Sequence, residues 1–213
     1  IPYRDIFDIK LPLIDLLYWL AFRIFGQNSL SIRIFMNLYT ILSALLLYLL
    51  TTSMFDRRTG IFAALLLLIL TMSPTVYGQS ANTEIFMTLP IISAIYFLFI
   101  GSTRNKTSYF FTAGLCLGAA YLIKQAAIFY IFCFLLISLL TVLFEQNKWR
   151  NIFAYIAGIV IPVGIIIVFY FSVGSLQELY HDTISFALIF AKQLNANLQQ
   201  IVYTLIPPTM NIL

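Results

Sequence analysis

Charge is scarce in this sequence. Only 9% of its 213 residues are Asp, Glu, Lys or Arg. A water-soluble domain carries about 25%, and a chain with so few cannot cover its own surface with them. Hydrophobic residues make up 62%, and the mean hydropathy is +0.96. A soluble globular protein is excluded, and an integral membrane protein is predicted. Cysteine occurs twice, as Cys116 and Cys133, both inside apolar runs. They read as small core residues, with neither a disulfide nor a metal site expected. The single histidine, His181, stands beside Asp182 in "ELYHDT" and reads as a loop or structural residue. There is no Gly-rich phosphate loop, no metal-spaced Cys/His set and no nucleophile elbow. The net charge of +4 reflects basic cytoplasmic loops in a protein of this kind, so nucleic acid is not expected as a partner. The first residue is Ile1 and the last residues are "LIPPTMNIL". The chain is therefore expected to be a piece of a longer protein.

What is present is a series of apolar runs with polar breaks. A spanning helix needs roughly 20 apolar residues. Runs cover 31–55, 61–78, 85–101, 109–144 and 152–172. The longest would make one helix of about 54 Å at 1.5 Å per residue, against a hydrocarbon core of about 30 Å. Lys124-Gln125 interrupts it, so two spans meeting near Lys124 are predicted, the first of them short and lying against other helices. The fold class is therefore all-α and polytopic, with about six transmembrane helices. Ahead of them, 11–26 is apolar except for Asp15 and Arg23, and Asp15, Trp19 and Arg23 fall on one helical stripe. That suits an amphipathic helix in the membrane interface. The expected organisation is 1–30 as an external loop with this helix, 31–172 as the transmembrane region, and 173–213 as an external loop or the start of further helices.

Basic residues set the orientation. Arg57 and Arg58, Arg104 and Lys106, and Lys148 and Arg150 mark alternate loops. The positive-inside rule places those loops in the cytoplasm. The opening stretch, the "QSANTE" loop and Lys124 then share the external side. Ready labelling of a cysteine at Thr59 by an impermeant thiol reagent in intact cells would overturn this orientation.

Three charged groups remain on that side: Asp5, Asp8 and Lys10; Asn82 and Glu84; and Lys124. Ionisable residues beside a membrane usually have a function. Carboxylates serve as general bases or hold a divalent cation, and lysines neutralise phosphate. Together they suit a lipid-phosphate substrate. Spacing alone leaves the plainer readings open: a solvated loop for Asp5, Asp8 and Lys10, a helix cap for Glu84, and a snorkelling side chain for Lys124.

The opening "PYRDIFDIKLPL" resembles the first external loop of polytopic glycosyltransferases of the GT-C superfamily. More narrowly, it is similar to the bacterial family 39-like, RgtA/B/C/D-like group. That group is related to protein O-mannosyltransferases and the lipid A aminoarabinose transferase, and often reads PYRD-x-x-D-H-K-P-P there. "SIRIFMNLY", "DRRTGIFAALLL", "GQSANTEIFMTLP" and "GLCLGAAYLIKQAA" resemble its following segments in order, over most of 1–145. The resemblance implies sugar transfer from a polyprenyl-phosphate donor to a lipid, glycan or protein acceptor on the external face of a bacterial plasma membrane, usually with inversion. It implies donor-phosphate binding by Lys10 and Lys124, and acidic site positions at Asp5, Asp8 and Glu84. Ile9 stands where the group often has His, and Leu11 where it often has Pro or Gly, which leaves a divalent cation open. The group's usual catalytic acid follows an earlier span that this sequence does not contain. The rivals are a transporter or lipid flippase, which would show internal repeats with paired broken helices, and a non-catalytic membrane scaffold. No convincing repeat is found.

Overall fold

The structure is a computed structural model that describes residues 2, 3, 5, 8, 10–73, 82–144, 149–186 and 189, without the side chains of 140–144. Arg4, Ile9, residues 79–81 of the "QSANTE" loop, Lys148 and the closing "LIPPTMNIL" lie outside the described residues. Among the described residues the regular structure is helical: α1 (Pro12–Phe25), α2 (Ser29–Met54), α3 (Arg57–Met72), α4 (Thr83–Arg104), α5 (Thr107–Ile123), α6 (Ile128–Phe144), α7 (Trp149–Val173) and the short α8 (Leu176–Tyr180). The chain divides into two compact units, Leu11–Val168, and Ile1–Lys10 with Phe169–Leu213.

The larger unit is an all-α membrane-type bundle. α2, α4 and α7 are each long and apolar enough to cross a membrane, and α5 and residues 125–139 form shorter apolar helices. Six helices, α2 through α7, thus follow α1 in the order of the apolar runs, three of them of spanning length. Their ends are chemically marked. Asn28 caps α2, its side chain accepting from the Ser31 amide at 2.8 Å. Asp56 caps α3, accepting from the amides of Arg58 and Thr59. The Thr59 hydroxyl beside it holds the Asp56 carboxyl below its ordinary value. α4 ends at Asn105 in the left-handed conformation, which Asn tolerates better than most residues. Within the helices, hydroxyls turn back onto their own backbone. Thr40, Thr51 and Ser93 donate to carbonyls four residues earlier, which satisfies them where no water is available.

α5 is the hub of this unit. At 17 residues it is about 26 Å long, and Ala113, Leu117 and Ala120 are fully buried. It packs along α4 and against α1, which is the expected short helix lying among others. It also crosses α7 closely through glycines. A Cβ on Gly158 would lie 2.9 Å from the Leu115 nitrogen and 3.0 Å from Gly114 Cα. One on Gly118 would lie 2.8 Å from the Ile159 carbonyl. Small residues permit such an approach where lipid offers no hydrophobic drive between helices. The obstructing atoms are backbone and cannot swing aside. Gly158→Ala should therefore cost about 1–3 kcal/mol, the range for overpacking. Thermal unfolding in detergent measures it, and an unchanged Tm would refute the close crossing.

α1 is amphipathic as read, with Ile14 and Ala21 buried and Leu16, Trp19, Leu20 and Ile24 exposed. The Arg23 guanidinium lies 5.6 Å from the Trp19 ring centroid, a cation–π contact. Asp15 departs from the expected stripe. It is only part-exposed, and its Oδ2 is buried, while Trp19 and Arg23 on the same stripe are exposed.

In the smaller unit, Tyr3 is buried and its ring meets Tyr170 edge-on at 5.3 Å. After α8 the chain widens into one π turn, His181–Ser185. His181 Nδ1 lies 3.2 Å from the buried Asp182 carboxylate.

Candidate functional site

Glu84 and Lys124, 40 residues apart, form an ion pair. Each is held by its surroundings. Glu84 lies in the first turn of α4, and the next three residues, Ile85, Phe86 and Met87, are buried. Phe86 anchors that turn. Its ring stacks on Phe35 at 6.1 Å, meets Tyr39 at 5.1 Å and takes Tyr18 edge-on at 5.8 Å. Rings from α1 and α2 thus fix the start of α4, and with it the carboxylate. The second Glu84 oxygen accepts from the Thr83 hydroxyl at 3.1 Å. The Asn82 side chain makes no capping bond.

Lys124 sits where α5 stops. Its backbone is extended, with φ −151° and ψ 130°. Its amide still donates to Ala120, and its carbonyl accepts from Ala127, both at 3.0 Å. A single 3₁₀ turn, Gln125–Ala127, then leads into α6. Ile123 on one side and Ala127 on the other are buried, so the break is clamped and the ammonium projects from a fixed point.

The pair is accessible, with 35% of the Lys124 side chain and 55% of the Glu84 side chain exposed. Such half-solvated pairs contribute about 0–1 kcal/mol to stability. The fold does not depend on it, and a competing anion can separate it.

In the smaller unit the structure shows how Lys10 is held. Its amide donates to Asp8 Oδ1 at 2.9 Å, and its carbonyl accepts from the Tyr3 hydroxyl. The next residue, Leu11, is extended, and Pro12 opens α1. Lys10 therefore stands exposed on an irregular, two-sided backbone mount, where Pro12 disfavours helix at Leu11. Asp8 grips the Lys10 amide, a role the sequence reading did not give it. Asp5 is also exposed. Among the described residues, no three His, Cys, Asp or Glu side chains converge to hold a metal ion. Asp8 thus accepts from a backbone amide and Glu84 from an ammonium.

Two features went unread in the sequence. Asp182 is a buried acid, and its only signal was the neighbouring His181. A groove between α2 and α3 contains Arg33 and Asn37. They stand four residues apart near the start of an apolar run, a spacing that marks one helix face.

A family model described as dolichyl-phosphate-mannose-protein mannosyltransferase matches residues 10–171. The matched span includes Lys10, Glu84 and Lys124, and begins after Asp5 and Asp8. No curated protein and no solved structure matches the chain.

Proposed function

The chain belongs to the dolichyl-phosphate-mannose-protein mannosyltransferase family and is a membrane glycosyltransferase of the GT-C type; from that premise we propose that it moves a sugar from a polyprenyl-phosphate donor to an acceptor hydroxyl on the extracytoplasmic face. The observation that carries this reading is the Glu84–Lys124 pair. A cation and a carboxylate stand together, exposed, at the ends of apolar helices, where a lipid-borne phosphate travels.

The chemistry follows from those groups. The acceptor hydroxyl attacks the anomeric carbon, and a C–O bond forms there. The bond from that carbon to the phosphate oxygen breaks, its electron pair stays on the phosphate, and polyprenyl phosphate departs. A carboxylate takes the hydroxyl proton. An ammonium stabilises the charge that develops on the leaving phosphate. Glu84 is assigned the first role and Lys124 the second. The arriving phosphate draws Lys124 away from Glu84, so donor binding itself frees the base. The smaller unit carries its own candidate for the donor phosphate, Lys10, with Asp5 and Asp8 as its acidic residues. The membrane setting is a plasma membrane of bacterial type.

Transfer of radiolabelled sugar to an acceptor tests this. The active protein in vesicles should use a polyprenyl-phosphate sugar and leave a nucleotide sugar untouched. Transfer from the nucleotide sugar, with none from the lipid donor, would overturn the reading.

A further inference from the structure

A second ligand-binding feature lies away from the Glu84–Lys124 pair. Between the N-terminal half of α2 and the C-terminal end of α3 is a cavity of about 360 Å³. Met36, Leu68 and Met72 give it an apolar wall, and Arg33 and Asn37 stand along one side. The two threonines that line it offer little to a ligand, because Thr40 donates to the Met36 carbonyl at 2.9 Å and Thr71 to the Leu67 carbonyl at 2.7 Å. Arg33 is exposed, and no described residue forms an ion pair or hydrogen bond with its guanidinium.

Depth decides what fits. α2 has 26 residues, about 39 Å at 1.5 Å per residue, so it exceeds a hydrocarbon core of about 30 Å by roughly two or three residues at each end. Arg33 is the fifth residue of the helix and lies roughly 6 Å along it. That is the boundary between acyl chains and headgroups, whichever end of the helix faces outward. A guanidinium without a partner among the described residues, at phosphate level and over an apolar groove that descends between two helices, complements an anionic amphiphile.

We propose that this groove binds one anionic glycerophospholipid. Its phosphate sits on Arg33 and Asn37, and one acyl chain lies against Met36, Leu68 and Met72. The guanidinium supplies a charge-assisted fork to two phosphate oxygens, and the Asn37 amide supplies a further donor. The chain fills space that two rigid helices leave open. The bound lipid ties α2 to α3 and is not consumed.

Native mass spectrometry and thermal unfolding of delipidated protein test this, with phosphatidylglycerol, phosphatidylcholine and inorganic phosphate as probes. One phosphatidylglycerol should be retained and should raise the Tm. Phosphatidylcholine should bind more weakly, and inorganic phosphate should not bind. Arg33→Gln should weaken retention by about tenfold or more, the scale of one lost charged hydrogen bond. Leu68→Trp should block the chain and remove the Tm increment. Arg33 is exposed, so its variant keeps the fold and the test stays readable if Leu68→Trp does not. Undiminished retention by Arg33→Gln would overturn the proposal, as would equal binding of inorganic phosphate. Either result leaves the glycosyltransferase reading standing, because sugar transfer is measured separately.

Discussion

Replacing Lys10 by methionine lowers turnover of the active protein by roughly 10²- to 10³-fold, the scale for losing one preorganised stabiliser of developing charge. The expectation rests on how Lys10 is mounted. Its amide is held by Asp8 and its carbonyl by Tyr3, and Tyr3 is itself buried against Tyr170. Pro12 keeps the helix from extending back into the mount. An ammonium carried on a fixed backbone is aligned before the reaction begins. The departing phosphate gains negative charge as the sugar bond breaks, so such a group favours the transition state over the ground state. Methionine keeps the length and the apolar stem but removes the charge. Lys10→Arg should restore only part of the rate, because a planar, weakly hydrated fork does not replace a compact ammonium. A solvated loop lysine predicts almost no change in either variant. Near-normal sugar transfer by well-expressed Lys10→Met, assayed with a polyprenyl-phosphate sugar, would end the assignment.

Glu84→Gln should reduce turnover by roughly 10²- to 10⁴-fold, the range for removing a general base, and Lys124→Met by roughly 10²- to 10³-fold. Neither should unfold the protein, because a pair this exposed contributes at most about 1 kcal/mol. The two variants should differ in their pH behaviour. In the parent, turnover falls toward acid pH as the base becomes protonated. Glu84→Gln should lose that fall, and Lys124→Met should keep it. The exchange Glu84→Lys with Lys124→Glu separates function from architecture. It preserves an ion pair but puts a cation where the base is needed and a carboxylate where the phosphate is to bind. If the pair only joins α4 to the end of α5, the exchange restores activity. If it works as proposed, the doubly exchanged protein stays folded and inactive. Recovery of sugar transfer in the exchanged protein would refute both roles at once.

The helices and their breaks were legible because each follows from local chemistry. Apolar runs in a chain with 9% charge must satisfy their backbone internally, and the helix does so within one segment. Asp56, Asn105 and Lys124 interrupt those runs, and each lies at a helix end in the structure. The irregular backbone at Lys10 was equally local, since Pro12 acts on its immediate neighbour. Pairing between segments was not legible. The sequence grouped Glu84 and Lys124 on one side as parts of a lipid-phosphate site, with a cap and a snorkelling side chain as the plainer readings, but nothing local showed that the two pair with each other. Their meeting depends on how α4 and α5 are rotated about their axes, which the packing of Phe86 among Tyr18, Phe35 and Tyr39 decides for α4. Gly114, Gly118 and Gly158 were visible as small residues, but which helix approached them was not. The Arg33 groove had no sequence counterpart, because a cavity belongs to two helices and to neither alone. By itself the sequence determined the helices and their ends, since these are properties of single segments in a bilayer. Only the tertiary structure decided which carboxylate meets which lysine and where two helices leave room for a ligand, because those depend on the rotation of one helix against another.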